Sequence, residues 1–159
     1  MILLKFDTEI KGDATVDAHE DWITVDSFQL GVGRSIQASG GGKSRDTSNP
    51  SFSEATFTKS TDMASPDLWF QAICGKSLVK AHVHFYQTSG ADTPGRVYLT
   101  YELEEPIVSS YSLSSGGERP SETVSLHFTK ILKQFDDWSG DKVTTGTPKK
   151  WDVMANKPY

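Results

Sequence analysis

His82 and His84 are the residues whose types and spacing come nearest to a metal site. They lie two positions apart in LVKAHVHFY, whose alternation predicts a β-strand, so both imidazoles would project from one face. Imidazole nitrogens are common zinc and copper ligands, but a site needs at least one more. His19 and His127 are the remaining histidines, and no spacing pattern joins them to the pair. A solvated or interface face is the favoured interpretation.

Two glycine-rich segments match phosphate-binding loops only in part. GVGRSI, residues 31–36, begins like G-x-G-x-x-G but ends in isoleucine. Gly42-Lys43-Ser44 ends like a P-loop, yet Gln37 stands where that pattern needs its first glycine. Neither segment lies between a predicted strand and a predicted helix, the context in which backbone N–H groups point at a phosphate. The sequence predicts no nucleotide site.

Candidate nucleophiles and acid–base pairs also lack the settings that catalysis needs. The serine-rich run SSYSLSSGG, residues 109–117, contains no G-x-S-x-G elbow, the strained turn that exposes a catalytic serine. Cys74 ends a predicted helix, where the helix dipole disfavours a thiolate, and we expect it to be buried. Glu104 and Glu105 are adjacent on a predicted strand and so face opposite ways. We expect no catalytic residue, no enzyme activity and no cofactor.

Length and charge bound the class of protein. The chain has 159 residues, of which 36% are hydrophobic, enough for one domain over residues 1–159 with a single core. Lys and Arg number 16 against 21 Asp and Glu, a net charge of −5. Without a basic cluster, this balance argues against nucleic-acid and membrane-surface binding. No stretch approaches the ~20 apolar residues of a membrane span.

Cysteine usage and the N-terminus indicate where the chain is made. The single cysteine, Cys74, excludes an internal disulfide and a multi-cysteine metal cluster. The N-terminus MILLKFDTEIKG has four apolar residues before Lys5, shorter than the apolar core of a signal peptide. We therefore expect assembly in the cytoplasm, followed by any export along a route without a cleaved leader.

Most of the chain alternates with a period of two residues, which predicts β-strands. One such strand runs from Trp22 to Leu30 with mixed polarity on both faces. The segment GGGKSRDTSNP, residues 40–50, contains no apolar residue and predicts a long exposed loop, too long for a hairpin. Further strands are predicted in ILLKF, ATFTKST, LVKAHVHFY, RVYLTYELE, IVSSYSL, ETVSLHFTKILKQF and residues 150–154.

One helix is predicted in SPDLWFQAICG, residues 65–75. Ser65 is a suitable N-cap, Pro66 fits the first turn, and Gly75 supplies a left-handed stop. Many short strands with one helix indicate an antiparallel barrel or sandwich with a flanking helix. The apolar stripe that we expect to pack on a sheet is formed by Leu68, Trp69, Ala72 and Ile73.

Several motifs occur in order along nearly the whole chain. They are IKG at residues 10–12, H-x-x-W-I at 19–23, FQLGVGRSI at 28–36, T-K-x-x-D-x-x-S-P-x-L at 58–68, PIVSSYSLSSGGERPSETVSLHFTKI at 106–131 and WDVMANK at 151–157. In these motifs the chain resembles the haemolysin-coregulated protein (Hcp) family, the inner tube subunits of bacterial type VI secretion systems. One departure is Leu30, which stands where the family frequently has an aromatic residue.

The resemblance implies both a fold and a function. The fold is a small antiparallel β-barrel of two sheets with one flanking α-helix. The subunits form hexameric rings that stack into a hollow tube, which a contractile sheath drives out of the cell with spike proteins at its tip. The subunits are themselves exported and hold small effectors in the lumen. This is a structural role without a catalytic residue, a metal or a cofactor.

The resemblance also implies positions for particular residues. The strand Phe28-Gln29-Leu30 is expected near the inner wall of the ring, and alternation then assigns Gln29 to the channel and its two neighbours to packing. The segment 40–50 is expected to reach neighbouring subunits and the next ring. Charge pairs in that contact would be made by Lys43, Arg45 and Asp46.

Two other classes remain open at the level of sequence. A small metal-dependent β-barrel enzyme would rest on His82 and His84, and metal analysis of the purified protein would identify it. A monomeric ligand-binding β-sandwich would have the mass of one chain in solution. Its stacking platforms, for sugars for example, would be Trp22, Trp138 or Trp151.

Overall fold

The computed structural model describes residues 1–38, 45–88 and 95–159. Within these residues the chain forms one α-helix, α1 (Ser65–Cys74), and fifteen β-strands. The strands are β1 (Ile2–Phe6), β2 (Ile23–Val25), β3 (Ser27–Gln29), β4 (Val32–Gly33), β5 (Ile36–Ala38), β6 (Arg45–Thr47), β7 (Ser51–Phe52), β8 (Ala55–Ser60), β9 (Lys80–Gln87), β10 (Arg96–Glu104), β11 (Ile107–Ser114), β12 (Ser121–His127), β13 (Lys130–Ser139), β14 (Lys142–Thr145) and β15 (Lys149–Asp152).

Two main antiparallel sheets share one hydrophobic core. The larger has the order β14-β13-β10-β9-β1-β2, with β15 also paired to β13, and the smaller has the order β11-β12-β8-β3. Phe6 and Leu103 from the larger sheet meet Phe57 and Leu126 from the smaller one in a single buried cluster. Each such side chain contributes about 1.5–3 kcal/mol when fully buried. The expected class, mainly β with one helix, is confirmed.

Alternation along β8 and β12 carries one charged side chain from each strand into the core. In β8 Lys59 shares the inward face with Phe57, and in β12 Glu122 shares it with Val124. The register of this antiparallel pair places Lys59 opposite Glu122. Both side chains have 0% exposure, so their charges must be satisfied inside the protein.

The buried ammonium group of Lys59 connects both strands to the start of helix α1. Its Nζ lies 3.0 Å from Glu122 Oε2 and 2.7 Å from Asp62 Oδ1. It also donates a hydrogen bond to Ser65 Oγ at 3.0 Å. On the far side of the carboxylate, Thr61 Oγ1 donates to Glu122 Oε1 at 3.0 Å. The network therefore joins β8, β12 and the first residue of α1.

Hydrogen bonds and the charge of Lys59 keep the Glu122 carboxyl group ionised despite its burial. Burial by itself raises the pKa of this carboxyl group, but hydrogen bonds from Ser65, Tyr111 and Lys59, together with the Lys59 charge, hold the pKa below its usual 4.5. Burial and the same carboxylate raise the pKa of Tyr111 to about 12. A carboxyl group with a depressed folded pKa adds stability above its unfolded pKa and loses it as the pH falls through the folded value.

The start of helix α1 differs from the prediction, whereas its end confirms it. Ser65 is the first helical residue, and Ala64 occupies the N-cap position without a side-chain cap. The Ser65 hydroxyl is instead engaged by Lys59, and Asp62 Oδ1 accepts the Ala64 N–H at 2.9 Å. Gly75 adopts the left-handed conformation, with φ of 63°, and its N–H closes the last turn.

The segment from Trp22 to Leu30 is two short strands in different sheets, so the prediction of one strand is wrong. Strand β2 pairs with β1 in the larger sheet, and β3 pairs with β8 in the smaller one. Ile23 and Val25 face the core before Asp26, and Phe28 packs on it after Asp26. The chain must bend to pass between the sheets. Odd-numbered residues face the core before the bend and even-numbered residues after it, which explains why a single strand would have polar and apolar residues on both faces.

Two antiparallel strand pairs over residues 31–38 and 45–53 form what we call the arm. Beyond the pair β3–β8, it continues as β4–β7 and then β5–β6. Ser48 bonds to Ser35 through both its backbone N–H and its hydroxyl group. The prediction of a long exposed loop over residues 40–50 is therefore wrong for residues 45–47, which form β6, and its residues 40–44 lie outside the described residues. The backbone ladder of a hairpin needs no apolar side chain, so the polar composition concealed it.

Removing the buried cation should destabilise the protein strongly. Lys59→Met leaves the carboxylates of Glu122 and Asp62 buried without their partner, and we expect unfolding to become easier by about 3–5 kcal/mol. Lys80→Met is the matched control, because Lys80 pairs with Glu102 at 3.5 Å in a half-exposed setting and should cost at most about 1 kcal/mol. Urea unfolding at one fixed protein concentration measures both. Equal midpoints for the two variants would contradict the structural role of Lys59.

Candidate assembly surfaces

His82 and His84 project from the outward face of β9, as their spacing predicts, but they make separate contacts. His82 Nε2 lies 3.0 Å from Asp7 Oδ1. His84 Nδ1 lies 2.9 Å from His19 Nε2. Within residues 1–38, 45–88 and 95–159, no group of three or more His, Cys, Asp or Glu side chains is arranged to hold a metal ion. The described structure therefore adds no third ligand to the histidine pair.

The pair His19–His84 lies beneath an aromatic cover. The His19 side chain is buried, and Trp22 lies 4.6 Å from both imidazole rings, centroid to centroid. Burial, followed by the positive charge that His19 and His82 can carry, lowers the pKa of His84 from 6.5 to about 4. At neutral pH His84 is uncharged, and one imidazole donates its N–H to the other. The pair thus holds the segment around His19 against β9.

The remaining chemical candidates are engaged locally or differ from expectation. Cys74 is exposed, so the prediction of a buried cysteine is wrong. Glu104 lies 3.3 Å from Lys130, whereas Glu105 accepts a hydrogen bond from Thr129 Oγ1 at 3.0 Å. These neighbouring carboxylates bond to different groups and do not form an acid–base pair.

Gln29 is exposed on β3, the edge strand of the smaller sheet, while its neighbours pack inward. The Phe28 ring lies 5.6 Å from that of Tyr101, and Leu30 packs against the core. The alternation is therefore as expected, and the channel position of Gln29 stays a prediction. The backbone of Arg45 and Asp46 belongs to β6, and Lys43 lies outside the described residues.

Each of the three tryptophans considered as a stacking platform has a different setting. Trp22 is buried beside the histidine pair. Trp138 donates its indole N–H to Val97 O at 3.0 Å and is covered by the Arg96 guanidinium group, 4.9 Å from its ring centroid. Trp151 is half-buried and lines a groove at the base of the arm. Of these three rings, that of Trp151 therefore borders a groove that a ligand could enter.

The opening, which we call the arm groove, has a volume of about 430 Å³. Its apolar lining includes Leu30 and Phe52 from the base of the arm and Trp151 from β15. Four cationic side chains line the groove, and none of them forms an ion pair with a described residue. They are Arg34, Lys133, Lys149 and Lys150. Its lining residues are Leu30, Gly31, Val32, Arg34, Pro50, Phe52, Tyr101, Ile131, Lys133, Lys149, Lys150 and Trp151.

Helix α1 presents apolar side chains to solvent as well as to the core. The predicted stripe is correct for Leu68, which is fully buried, and for Ala72, which packs against the core. It is wrong for Trp69 and Ile73, which are exposed by 54% and 62%, as is Phe70 by 54%. A helix that is apolar on most sides can bury only one of them against β11. We call the outward side, Trp69, Phe70 and Ile73, the helix face.

Charge is divided unevenly over the chain. Residues 7–26, which we call the acidic segment, contain seven carboxylates and one lysine. Glu9 and Lys11 of this segment, paired at 3.6 Å, border Met63 and Asp67 at the start of helix α1. The groove at the other side of the smaller sheet is basic.

No helix in the described parts of the chain is both long and apolar enough to cross a membrane.

Comparisons with known proteins identify similar sequences. The family described as "Type VI secretion system effector, Hcp" matches residues 3–135. A curated relative, Protein hcp1 of Pseudomonas aeruginosa, is 31% identical over 107 residues. That alignment covers 65% of this chain and 65% of the relative, so the chain spans about two thirds of its length.

Solved structures extend the similarity over almost the whole chain. A structure described as a type six secretion system protein has a TM-score of 0.88 at 25% identity, covering 99% of this chain and 98% of that one. Hcp1 from Salmonella typhimurium has a TM-score of 0.73 at 25% identity, covering 99% and 97%. The tube-terminating cap of the anti-feeding prophage shares the fold alone, with a TM-score of 0.55 at 11% identity over 84% and 87%.

The lowered pKa of His84 predicts how stability depends on pH. Between pH 6.5 and about 4 the unfolded chain binds a proton at His84 that the folded chain does not, so stability falls as the pH is lowered through this range. We expect the melting temperature to drop between pH 7 and pH 5, and His84→Gln to reduce that drop. His127→Gln, at an exposed position of β12, is the matched control and should leave the drop unchanged. Identical pH profiles for both variants would exclude His84 as its source.

Proposed function

The chain belongs to the Hcp family of type VI secretion system tube proteins, and we propose that it forms hexameric rings that stack into a hollow tube. The whole chain, residues 1–159, acts as one subunit domain. The observation that carries the proposal is the match to a type VI secretion system protein over 99% of this chain with a TM-score of 0.88. The role is structural, and no catalytic step is assigned to the chain.

The surfaces of the chain support a role in assembly. A monomeric protein rarely leaves large aromatic side chains uncovered in one patch, yet the helix face exposes Trp69 and Phe70 by 54% each. The arm projects exposed backbone and polar side chains beyond the smaller sheet. Among the arm residues whose burial the structure describes, few are buried, so this part adds little to the stability of an isolated subunit and is better suited to contacts with other copies.

In the tube, the proposed partners act at different surfaces. The contractile sheath surrounds the tube, spike proteins close its tip, and small effectors occupy the lumen next to Gln29. The subunits assemble in the cytoplasm and are then secreted through the type VI apparatus. The arm contributes the contact between rings, with Lys43, Arg45 and Asp46 as its charged residues. Exposed ion pairs are worth only about 0–1 kcal/mol each, but every contact is repeated around the ring.

Ring assembly and stacking can be separated by shortening the arm. Light scattering during gel filtration should give the unsubstituted protein the mass of six 17.5 kDa chains. Because Ser35 and Ser48 are already bonded across the arm, residues 36–47 can be replaced by Asn-Gly, a two-residue hairpin turn. We expect this variant to keep its melting temperature and ring mass but to lose stacked tubes in electron micrographs and secretion in immunoblots.

Two outcomes would count against this function. A strictly monomeric mass of the unsubstituted protein across the micromolar range would contradict ring formation. Tubes of normal length from the shortened protein would place the contact between rings outside the arm.

The channel position of Gln29 can be tested by adding charge. Gln29→Arg would place one positive charge per subunit on the lumen wall, so rings should form normally, retain an acidic cargo protein more strongly and retain a basic one less. Phe28→Arg instead inserts a charge against Tyr101 and should reduce soluble protein. Co-purification with the two cargo proteins at low and high salt measures the effect. Loss of soluble Gln29→Arg protein would show that the face assignment is wrong.

A further inference from the structure

The helix face and the arm groove lie at opposite edges of the smaller sheet. The order of that sheet is β11-β12-β8-β3. Helix α1 packs along β11, at one edge. The arm continues from β3 and β8, and the groove lies between its base, at Leu30, Val32 and Arg34, and strands β10, β13 and β15 of the larger sheet. Two surfaces on opposite sides of one subunit can meet in a head-to-tail contact that repeats from copy to copy.

The chemistry of the two surfaces is complementary. The arm groove combines an apolar lining with four cations, Arg34, Lys133, Lys149 and Lys150, that have no ionic partner among the described residues. The helix face has an apolar centre of two aromatic rings and one isoleucine. At the N-terminal end of helix α1 it is bordered by Asp67 and by Glu9, and Glu9 pairs with Lys11 at 3.6 Å, so Asp67 is the border carboxylate that forms no ion pair with a described residue. Apolar centres with rims of opposite charge favour binding of one surface to the other.

A buried donor in the groove also lacks an acceptor. The indole Nε1 of Trp151 is inaccessible to solvent and has no hydrogen-bond partner within the described part of the chain. An unpaired buried donor costs about 1–3 kcal/mol. Because this atom is inaccessible from the groove, an occupant is recognised through the apolar lining and the cations instead. The groove thus favours an apolar occupant with a negatively charged rim.

We propose that the helix face of one copy docks into the arm groove of the next copy and forms the contact within the ring. The contact rests on the proposed function, and it names the surfaces that function would use. Trp69 and Phe70 enter the apolar part of the groove, where each ring can bury about 150–250 Å². Asp67 faces Arg34, and the C-terminal end of the helix lies over Lys149 and Lys150 of β15. The contact is heterologous, so it closes into a ring when the rotation between copies allows it.

The apolar and the charged parts of the contact should affect different properties of assembly. The aromatic rings should supply most of the binding free energy, because hot spots are enriched in buried aromatic residues. The lysine rim should mainly affect the rate of association and its salt dependence. Raising the ionic strength should therefore slow the assembly of rings from dilute subunits more than it weakens rings already formed.

Substitution of an aromatic anchor tests the apolar half. Trp69→Glu should raise the subunit concentration needed for ring assembly by about 30-fold or more. The fold should be retained, because this side chain is exposed by 54%. Val143→Glu is the matched control, since Val143 is an exposed apolar residue on β14, outside the groove. Light scattering over a dilution series measures both variants. Equal ring stability for Trp69→Glu and Val143→Glu would overturn the contact.

The single native cysteine allows a direct test of proximity. Cys74 is exposed at the end of helix α1, next to Ile73, so Lys149→Cys adds one thiol at the groove rim. Mild oxidation should then produce a ladder of disulfide-linked oligomers up to six chains, which reduction reverses. Lys142→Cys, exposed on β14 outside the groove, should give no ladder. Neither should the double variant Lys149→Cys with Cys74→Ser.

The outcomes distinguish this contact from the proposed function. Rings of normal mass without a Cys74–Lys149→Cys ladder would overturn the contact and leave the tube function standing, with the groove free for another partner. A monomeric unsubstituted protein would contradict the tube function and the contact together. A ladder from Lys149→Cys, with none from Lys142→Cys and weakened rings in Trp69→Glu, supports the contact.

Discussion

The buried ammonium group of Lys59 is the constraint on which the rest of the structure depends. A lysine without exposed surface is stable only where anions and acceptors surround it. Here Glu122 approaches from β12, and Asp62 and Ser65 approach from the turn into helix α1. A slip of β12 by one residue against β8 would turn Glu122 outward and leave Lys59 buried without this partner. The network therefore specifies the register of the smaller sheet, and with it the positions of the helix and the arm.

This register determines which surfaces the subunit offers to other copies. Helix α1 is attached to the network through Ser65, its first residue. The side of the helix that carries Ser65 and Leu68 is therefore buried, and the side that carries the aromatic residues is exposed. The arm continues β3 and β8, so its base starts from the strand that carries Lys59. The helix face and the apolar lining of the arm groove thus lie toward opposite edges of one sheet. Such an arrangement favours repeated association over a closed pair.

The sequence predicted local features well where they depend on neighbouring residues. Gly75 ends helix α1, and the alternation in β9 places His82 and His84 on one face, because turn conformation and period two are local properties. The break at Asp26 and the pairing of β6 were missed, since both depend on strands elsewhere in the chain. The partner of Lys59 was also beyond reach, because Glu122 lies 63 residues away. The motif around Lys59 was visible, but its burial was not.

The candidate surfaces could be predicted only in part for the same reason. The helical period identifies apolar residues on α1, but it does not say which of Leu68, Trp69 and Ile73 the sheet covers.

The most direct measurement of assembly is a set of end-on class averages of the purified, unsubstituted protein from cryo-electron microscopy. Six-fold rings with an open centre and neighbouring subunits in a head-to-tail arrangement are the expected result. Single compact particles without a ring at micromolar concentration would contradict a tube subunit.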